Sequence, residues 1–153
     1  MSEENDTYRT LSTSGEALFK DRGSKFFGYV FPVHDEEEFK EKLAEIKTEH
    51  HQARHHCYAY RIDPDELRYR ANDDGEPSHS AGTPILHDLQ SADIVDSAAV
   101  VVRYFGGTKL GVPGLINAYK SAAEDAINNA KIVKKTVEQV IILKFNYPDM
   151  NDI

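Results

Sequence analysis

Cysteine is almost absent from this chain. The single Cys57 among 153 residues permits no internal disulfide and fits a reducing compartment. Cations are also in short supply: 18 Lys and Arg stand against 26 Asp and Glu, a formal net charge of −8. Non-specific binding to nucleic acid draws on counterion release by clustered Lys and Arg, so a general grip of that kind is excluded while a local basic patch is not. Specific DNA binding is not expected. No apolar run approaches the roughly 20 residues needed to cross a bilayer. The opening MSEENDTYRT is polar and acidic where a secretory leader is basic and then apolar. A cytoplasmic chain with no membrane partner is expected. The length suits one domain with a sizeable core and a fragment of a second.

Two nucleotide motifs are missing as well. Residues 97–123, SAAVVVRYFGGTKLGVPGLINAYKSAA, dominate the chain. An apolar β-branched run over 98–102 reads as a buried strand, which delivers Arg103, Tyr104 and Phe105 into Gly106 and Gly107. The following glycines, Gly111 and Gly114, do not complete G-x-G-x-x-G. Gly106 and Gly111 have P-loop spacing, but Val112 and Pro113 stand where lysine and a hydroxyl residue would hold phosphate and Mg²⁺. Two readings remain for this corner. One is an anion or partner site at a helix N-terminus; the other is a tight turn in which glycines let the aromatics approach the backbone.

Along the chain, residues 1–6 read as a frayed tail and 8–22 as one or two strands. A turn at 22–24 leads to an aromatic strand over 25–33 that Pro32 ends. Period 3.6 then places Phe39, Leu43 and Ile46 on one face of a helix capped by Asp35. His50, His51, His55 and His56 precede Cys57. Without a second cysteine or an H-E-x-x-H arrangement, they read as structural histidines closing a helix and lining a cleft rather than as a zinc site. The alternating CYAYRID that follows makes a strand, and a turn at 63–65 folds it into a hairpin with 67–70.

The segment ANDDGEPSHSAGTP groups Asp73, Asp74 and Glu76 around Gly75. These carboxylates suit either a hydrated Mg²⁺ or a turn in which they cap local N–H groups. Thr83 is the expected cap of a short helix over 84–92. A second long helix is expected over 113–130, with Leu115, Tyr119, Ala122, Ala126 and Ala130 forming a small-residue face that can lie close to a sheet. Lys131, Lys134 and Lys135 read as a basic cluster at its end. EQVIILKFN over 138–146 reads as a strand and YPDMNDI as a turn and helix start, as though the chain were truncated.

Three motifs, in order, carry a resemblance. RHHCYAY at 54–60, DDGEPS with AGTPIL over 73–86, and VVRYFGGTKLG with GLINAY over 101–119 are similar to the IMPACT/YigZ family, across roughly residues 15–130. The chain departs from the family pattern at His79, where a glycine is typical, at Pro113, which replaces a glycine, and at Asn117, which replaces an arginine. The last change removes a positive charge from the expected site.

The resemblance implies an α+β fold: a two-layer sandwich of a mostly antiparallel mixed sheet with two main helices and a left-handed βαβ crossover. Such a unit is similar to a domain of elongation factor G and to a small-subunit ribosomal protein. It divides the chain into an IMPACT-type domain over 1–135 and, over 136–153, the start of a ferredoxin-like domain most of which is missing, with a sticky edge at 140–143.

Eukaryotic members are linked to translational control through the activator of a stress-response kinase. The resemblance thus implies a non-enzymatic binding module for ribosome, RNA or a translation-control protein, needing no cofactor and no metal. Arg54, His55, His56, Asp73, Asp74, Glu76, Arg103, Tyr104, Gly106, Gly107 and Lys109 would line its cleft. The alternative is a metal-assisted enzyme on a phosphorylated or nucleotide-like substrate, with His56 as acid/base and Asp74 and Glu76 among the catalytic candidates. A third reading makes the motifs a buried polar network that fixes the fold.

Overall fold

In the computed structural model, which describes residues 7–136, ten elements follow one another. They are β1 (Thr7–Leu11), β2 (Gly15–Asp21), β3 (Ser24–Pro32), α1 (Glu36–Glu49), β4 (His55–Ile62), β5 (Arg68–Asn72), α2 (Gly82–Ser91), β6 (Ser97–Tyr104), α3 (Gly111–Asn128) and β7 (Ile132–Thr136). Five strands form one sheet in the order β2-β3-β6-β4-β5, each neighbouring pair antiparallel. β1 and β7 pair antiparallel as a separate ribbon. β3 and β4 both run antiparallel to β6 and therefore parallel to each other. Helix α1 joins them, a βαβ unit with β6 inserted between its strands.

The continuous apolar run explains the centre. Residues Ser97 to Arg103 of β6 are all buried, so both faces of this strand need cover. On one face Phe26, Val30, Cys57, Ala59, Ala99 and Val101 pack with α2 and α3. On the other, Phe31, Tyr60, Ile62, Val100 and Val102 meet Phe39, Leu43 and Ile46 of α1. The α+β class and antiparallel sheet are as the sequence implies. The helices are shared between both faces, which gives three layers in place of two. Asp35 caps α1 as expected, its side chain accepting from the Glu38 N–H at 2.8 Å.

Several boundaries differ from expectation. α2 starts at Gly82 with Ala81 as N-cap, so Thr83 and Pro84 lie in its first turn. The capping oxygen comes from afar: Asp73 Oδ1 accepts from the N–H of Gly82 at 2.8 Å and of Ala81 at 3.2 Å. α3 starts at Gly111, two residues before Pro113, which a first helical turn tolerates because its N–H groups have no intrahelical acceptor. The cluster from Lys131 to Lys135 ends no helix; most of it forms β7, where Lys134 pairs with Arg9 and Lys135 with Tyr8. The expected tail over 1–6, the strand over 138–146 with its edge at 140–143, and the turn and helix start over 147–153 lie outside the described residues, and the expected division at 135/136 falls within β7.

Helix α3 lies on the sheet with little between. A Cβ added at Gly28 of β3 would sit 2.4 Å from the Ala122 carbonyl oxygen, and one at Gly15 would sit 2.2 Å from that of Ala126. Glycine in the strands and alanine in the helix bring the two backbones together.

Candidate functional site

The antiparallel register of β3, β6 and β4 sets Phe26, Arg103 and His55 side by side on the face that α3 covers. Arg103 is 6% exposed and Glu76 8% exposed, and they form an ion pair: Arg103 Nη1 donates to Glu76 Oε2 at 2.8 Å and Oε1 at 3.1 Å. The hydroxyl of Tyr119, from α3, donates to the same Oε2. Burial, with the neighbouring Cys57 and Glu76, raises the Tyr119 hydroxyl above its ordinary pKa and keeps it protonated, hence a donor. His55 Nδ1 donates to the Asp74 carbonyl at 2.7 Å, leaving Nε2 directed at Glu76 Oε1, 3.7 Å away. Burial likewise pushes the Cys57 thiol up, and Cys57 donates to the Asp73 carbonyl. An inert thiol is the result.

The opposite face has its own network. His50 accepts or donates through both ring nitrogens, 2.5 Å from the Tyr29 hydroxyl and 2.6 Å from that of Tyr104. Burial lowers the His50 pKa and pushes Tyr29 up to about 12, so this pair is neutral. His56 Nε2 donates to the His50 carbonyl at 2.9 Å. His55 and His56 thus face opposite sides of the sheet, as strand alternation requires.

The acids of the DDGEPS segment are taken up locally. Asp73 Oδ1 caps α2, and its Oδ2 accepts from the His79 N–H at 2.9 Å. Asp74 Oδ2 accepts from the His56 N–H at 2.6 Å. With Glu76 held by Arg103 and Tyr119, these carboxylates act as caps and pair partners. The Mg²⁺ arrangement finds no donor set here: among the described residues, no three His, Cys, Asp or Glu side chains are grouped to hold a metal ion. The glycines divide in the same way. Gly106 packs against the Gly23 backbone, where any Cβ would clash at 2.0 Å, and its N–H is used by Ser24 Oγ at 3.1 Å. Gly107 adopts φ +93° in open space.

What remains open is a cavity of about 400 Å³ beside the ion pair. Arg54, His55, Arg103 and Lys109 line it, with Glu76 at its base, and Pro77, Leu110 and Leu115 supply apolar wall. Gly111 and Val112 bring the start of α3 to its edge, where no side chain caps the helix. Phe105 orders the cations: the Arg54 guanidinium lies 4.7 Å and that of Arg103 5.5 Å from its ring centroid. Arg103 Nε has no acceptor among the described residues. Among the described residues, the one acid lining the cavity, Glu76, is already paired with Arg103, so the lining presents positive charge.

Of the residues expected in one cleft, Arg54, His55, Glu76, Arg103 and Lys109 line this cavity. Asp73, Asp74, His56, Gly106 and Gly107 do not line it, and Tyr104 lines a neighbouring one. Asn117 is exposed on α3 and is no part of the lining. Phe105 and Tyr119 were missed as site residues. Tyr119 was legible as a core position of α3, but helical periodicity says nothing of what its hydroxyl meets.

Fold and cavity define a small α+β domain with a cation-lined cleft. Residues 22–127 match the family model described as the Impact N-terminal domain, and the chain belongs to that family. It is similar to the IMPACT family member YvyE of Bacillus subtilis, 37% identical over 141 residues, covering 92% of this chain and 65% of that protein. It is also similar to the IMPACT family member YigZ of Escherichia coli, 33% identical over 132 residues, covering 85% of this chain and 65% of that one. A solved structure described as a hypothetical protein superposes with a TM-score of 0.82 at 30% identity, covering 86% of this chain and 65% of that chain. The chain therefore spans somewhat under two thirds of the length of these relatives.

Proposed function

We propose that the chain is a non-enzymatic, translation-linked binding protein that acts in the cytoplasm and associates with the ribosome through RNA at the cavity beside Phe105. The observation that carries this reading is the split between acids and cations. Glu76 is held by Arg103 and Asp73 by N–H groups at the start of α2, and Asp74, though exposed, lies outside the lining and accepts from the His56 N–H, while Arg54 and Lys109 are exposed at the cavity. Phosphates are the natural partners of such a rim, and α3 adds the positive end of its dipole. Membership of the IMPACT family, whose eukaryotic members are linked to translational control, supports the same reading. No helix among the described residues is long and apolar enough to cross a membrane.

Pelleting of the protein with ribosomes at low and moderate salt tests it. Wild type is expected in the pellet, more so at low salt, and Arg54→Glu combined with Lys109→Glu in the supernatant. Both side chains are exposed, so the double variant should melt like wild type. Wild-type protein that stays in the supernatant at both salts would contradict the proposal. Arg103 is the wrong residue to change, because removing it strands Glu76 in the interior.

A further inference from the structure

Phe105 separates two cavities rather than bordering one. On its far side a second cavity of about 330 Å³ is lined by Gly23, Lys25, Phe27, Tyr104 and Phe105. The register explains the arrangement. Lys25 of β3 pairs with Tyr104 at the end of β6, and on the other flank the Arg54 N–H donates to the Arg103 carbonyl at 3.1 Å. The ends of β3 and β4 therefore carry one exposed cation on each side of β6, with the 37%-exposed ring of Phe105 between them. Each cavity repeats one chemistry: a cation at the rim, Lys25 or Arg54, and an apolar or aromatic wall.

We infer that these two cavities hold two successive nucleotides of a single-stranded RNA, one base on each side of Phe105; this rests on the RNA-binding reading above and gives it a site and a ligand form. Phe27, Tyr104 and Phe105 offer ring surface, which a flat base covers, whereas an acidic peptide would bring carboxylates on flexible stems with no flat face. Phosphates passing the ring meet Lys25 and Arg54. Base and phosphate recurring at every unit are the chemistry of a single strand, and stacking on aromatics is sequence-tolerant. A duplex keeps its bases paired and offers none to either cavity. Glu76, in the lining of the first cavity, is paired with Arg103, and other acids line separate grooves: Glu16, Glu45 and Glu49 one against α1, and Asp88 and Glu124 one between α2 and α3. A net charge of −8 is thus compatible with a local cationic track.

The test is fluorescence anisotropy of labelled decauridylate with the full chain. Wild type should bind with an affinity that falls with salt, and Phe105→Ala should weaken it about tenfold, as expected for one lost stacking platform. Lys25→Ala and Arg54→Ala should each weaken binding severalfold and each lower the salt slope by about 0.7. Lys42→Glu, in the α1 groove, should change nothing. The dinucleotide UpU should compete where UMP does not. Thermal melts confirm that each variant is folded; Phe105 is exposed, and Phe105→Tyr should restore binding. The inference is overturned if folded wild type ignores decauridylate, if Lys25→Ala is silent, if UMP competes as well as UpU, or if duplex RNA or polyglutamate competes as well as the strand. Ribosome pelleting separates the two levels: pelleting without decauridylate binding sinks the two-nucleotide site alone. Decauridylate binding without pelleting sinks the ribosome reading and leaves the site standing.

Discussion

Asp88 and Glu76 are both buried acids, and their surroundings treat them differently. Glu76 has Arg103 and Tyr119, so its charge is matched. Asp88, on α2, has an Oδ2 atom with no hydrogen-bond donor among the described residues. Burial pushes its carboxyl up to about 7; Lys120 opposes the shift, and Glu124 and Asp125 add to it. An acid with a raised folded-state value contributes stability that is fully present below its ordinary value, near 4, and is lost as pH climbs through about 7. Asp88→Asn keeps the shape and removes the charge. Its unfolding free energy in urea should therefore match wild type at pH 4 and exceed it at pH 8, by roughly 1–2 kcal/mol once relaxation around the group is allowed for. Equal free energies at both pH values would count against this account. His79 shows a second residue-level conflict. It sits at φ +65°, a left-handed conformation that a glycine adopts freely and a histidine does not. The ring is held by Thr83 Oγ1 at 3.1 Å.

At the scale of elements, the contact of α3 with the sheet depends on absent side chains. Gly28→Ala would place its Cβ 2.4 Å from the Ala122 carbonyl oxygen, a backbone atom that cannot rotate away. The helix would have to lift, and a loss of about 2–3 kcal/mol in chemical denaturation is expected, as for other overpacked cores. A smaller or absent loss would show that α3 is free to slide. This contact was legible in the sequence, because alanines at helical spacing announce a close approach. The buried strand β6 was legible from its unbroken apolar run, and α1 from its period and its Asp35 cap. Three layers were not: amphipathic period shows that a helix has an inner face, not which side of the sheet receives it. Nor was the start of α2, because its cap lies eight and nine residues upstream of the N–H groups it serves, beyond any local capping signal. In the site, the expectation of one cleft for both His55 and His56 overlooked strand alternation, which turns them to opposite faces, and the pairing of Glu76 with Arg103, 27 residues apart, exists only in three dimensions.

For the whole molecule, the distribution of charge matters more than its sum. Acids dominate the count, yet Lys25, Arg54 and Lys109 border the two cavities that Phe105 separates, and the acidic grooves lie at α1 and between α2 and α3. The ribbon of β1 and β7 pairs Thr7 with Thr136. The most direct measurement of where this molecule meets its target is hydrogen exchange of the full chain, alone and with saturating ribosomes. The account predicts slower exchange in peptides covering 104–112 and 54–56, with the groove lined by Lys42, Glu45 and Glu49 unchanged. Protection at that acidic groove, with 104–112 exchanging as in the free protein, would contradict it.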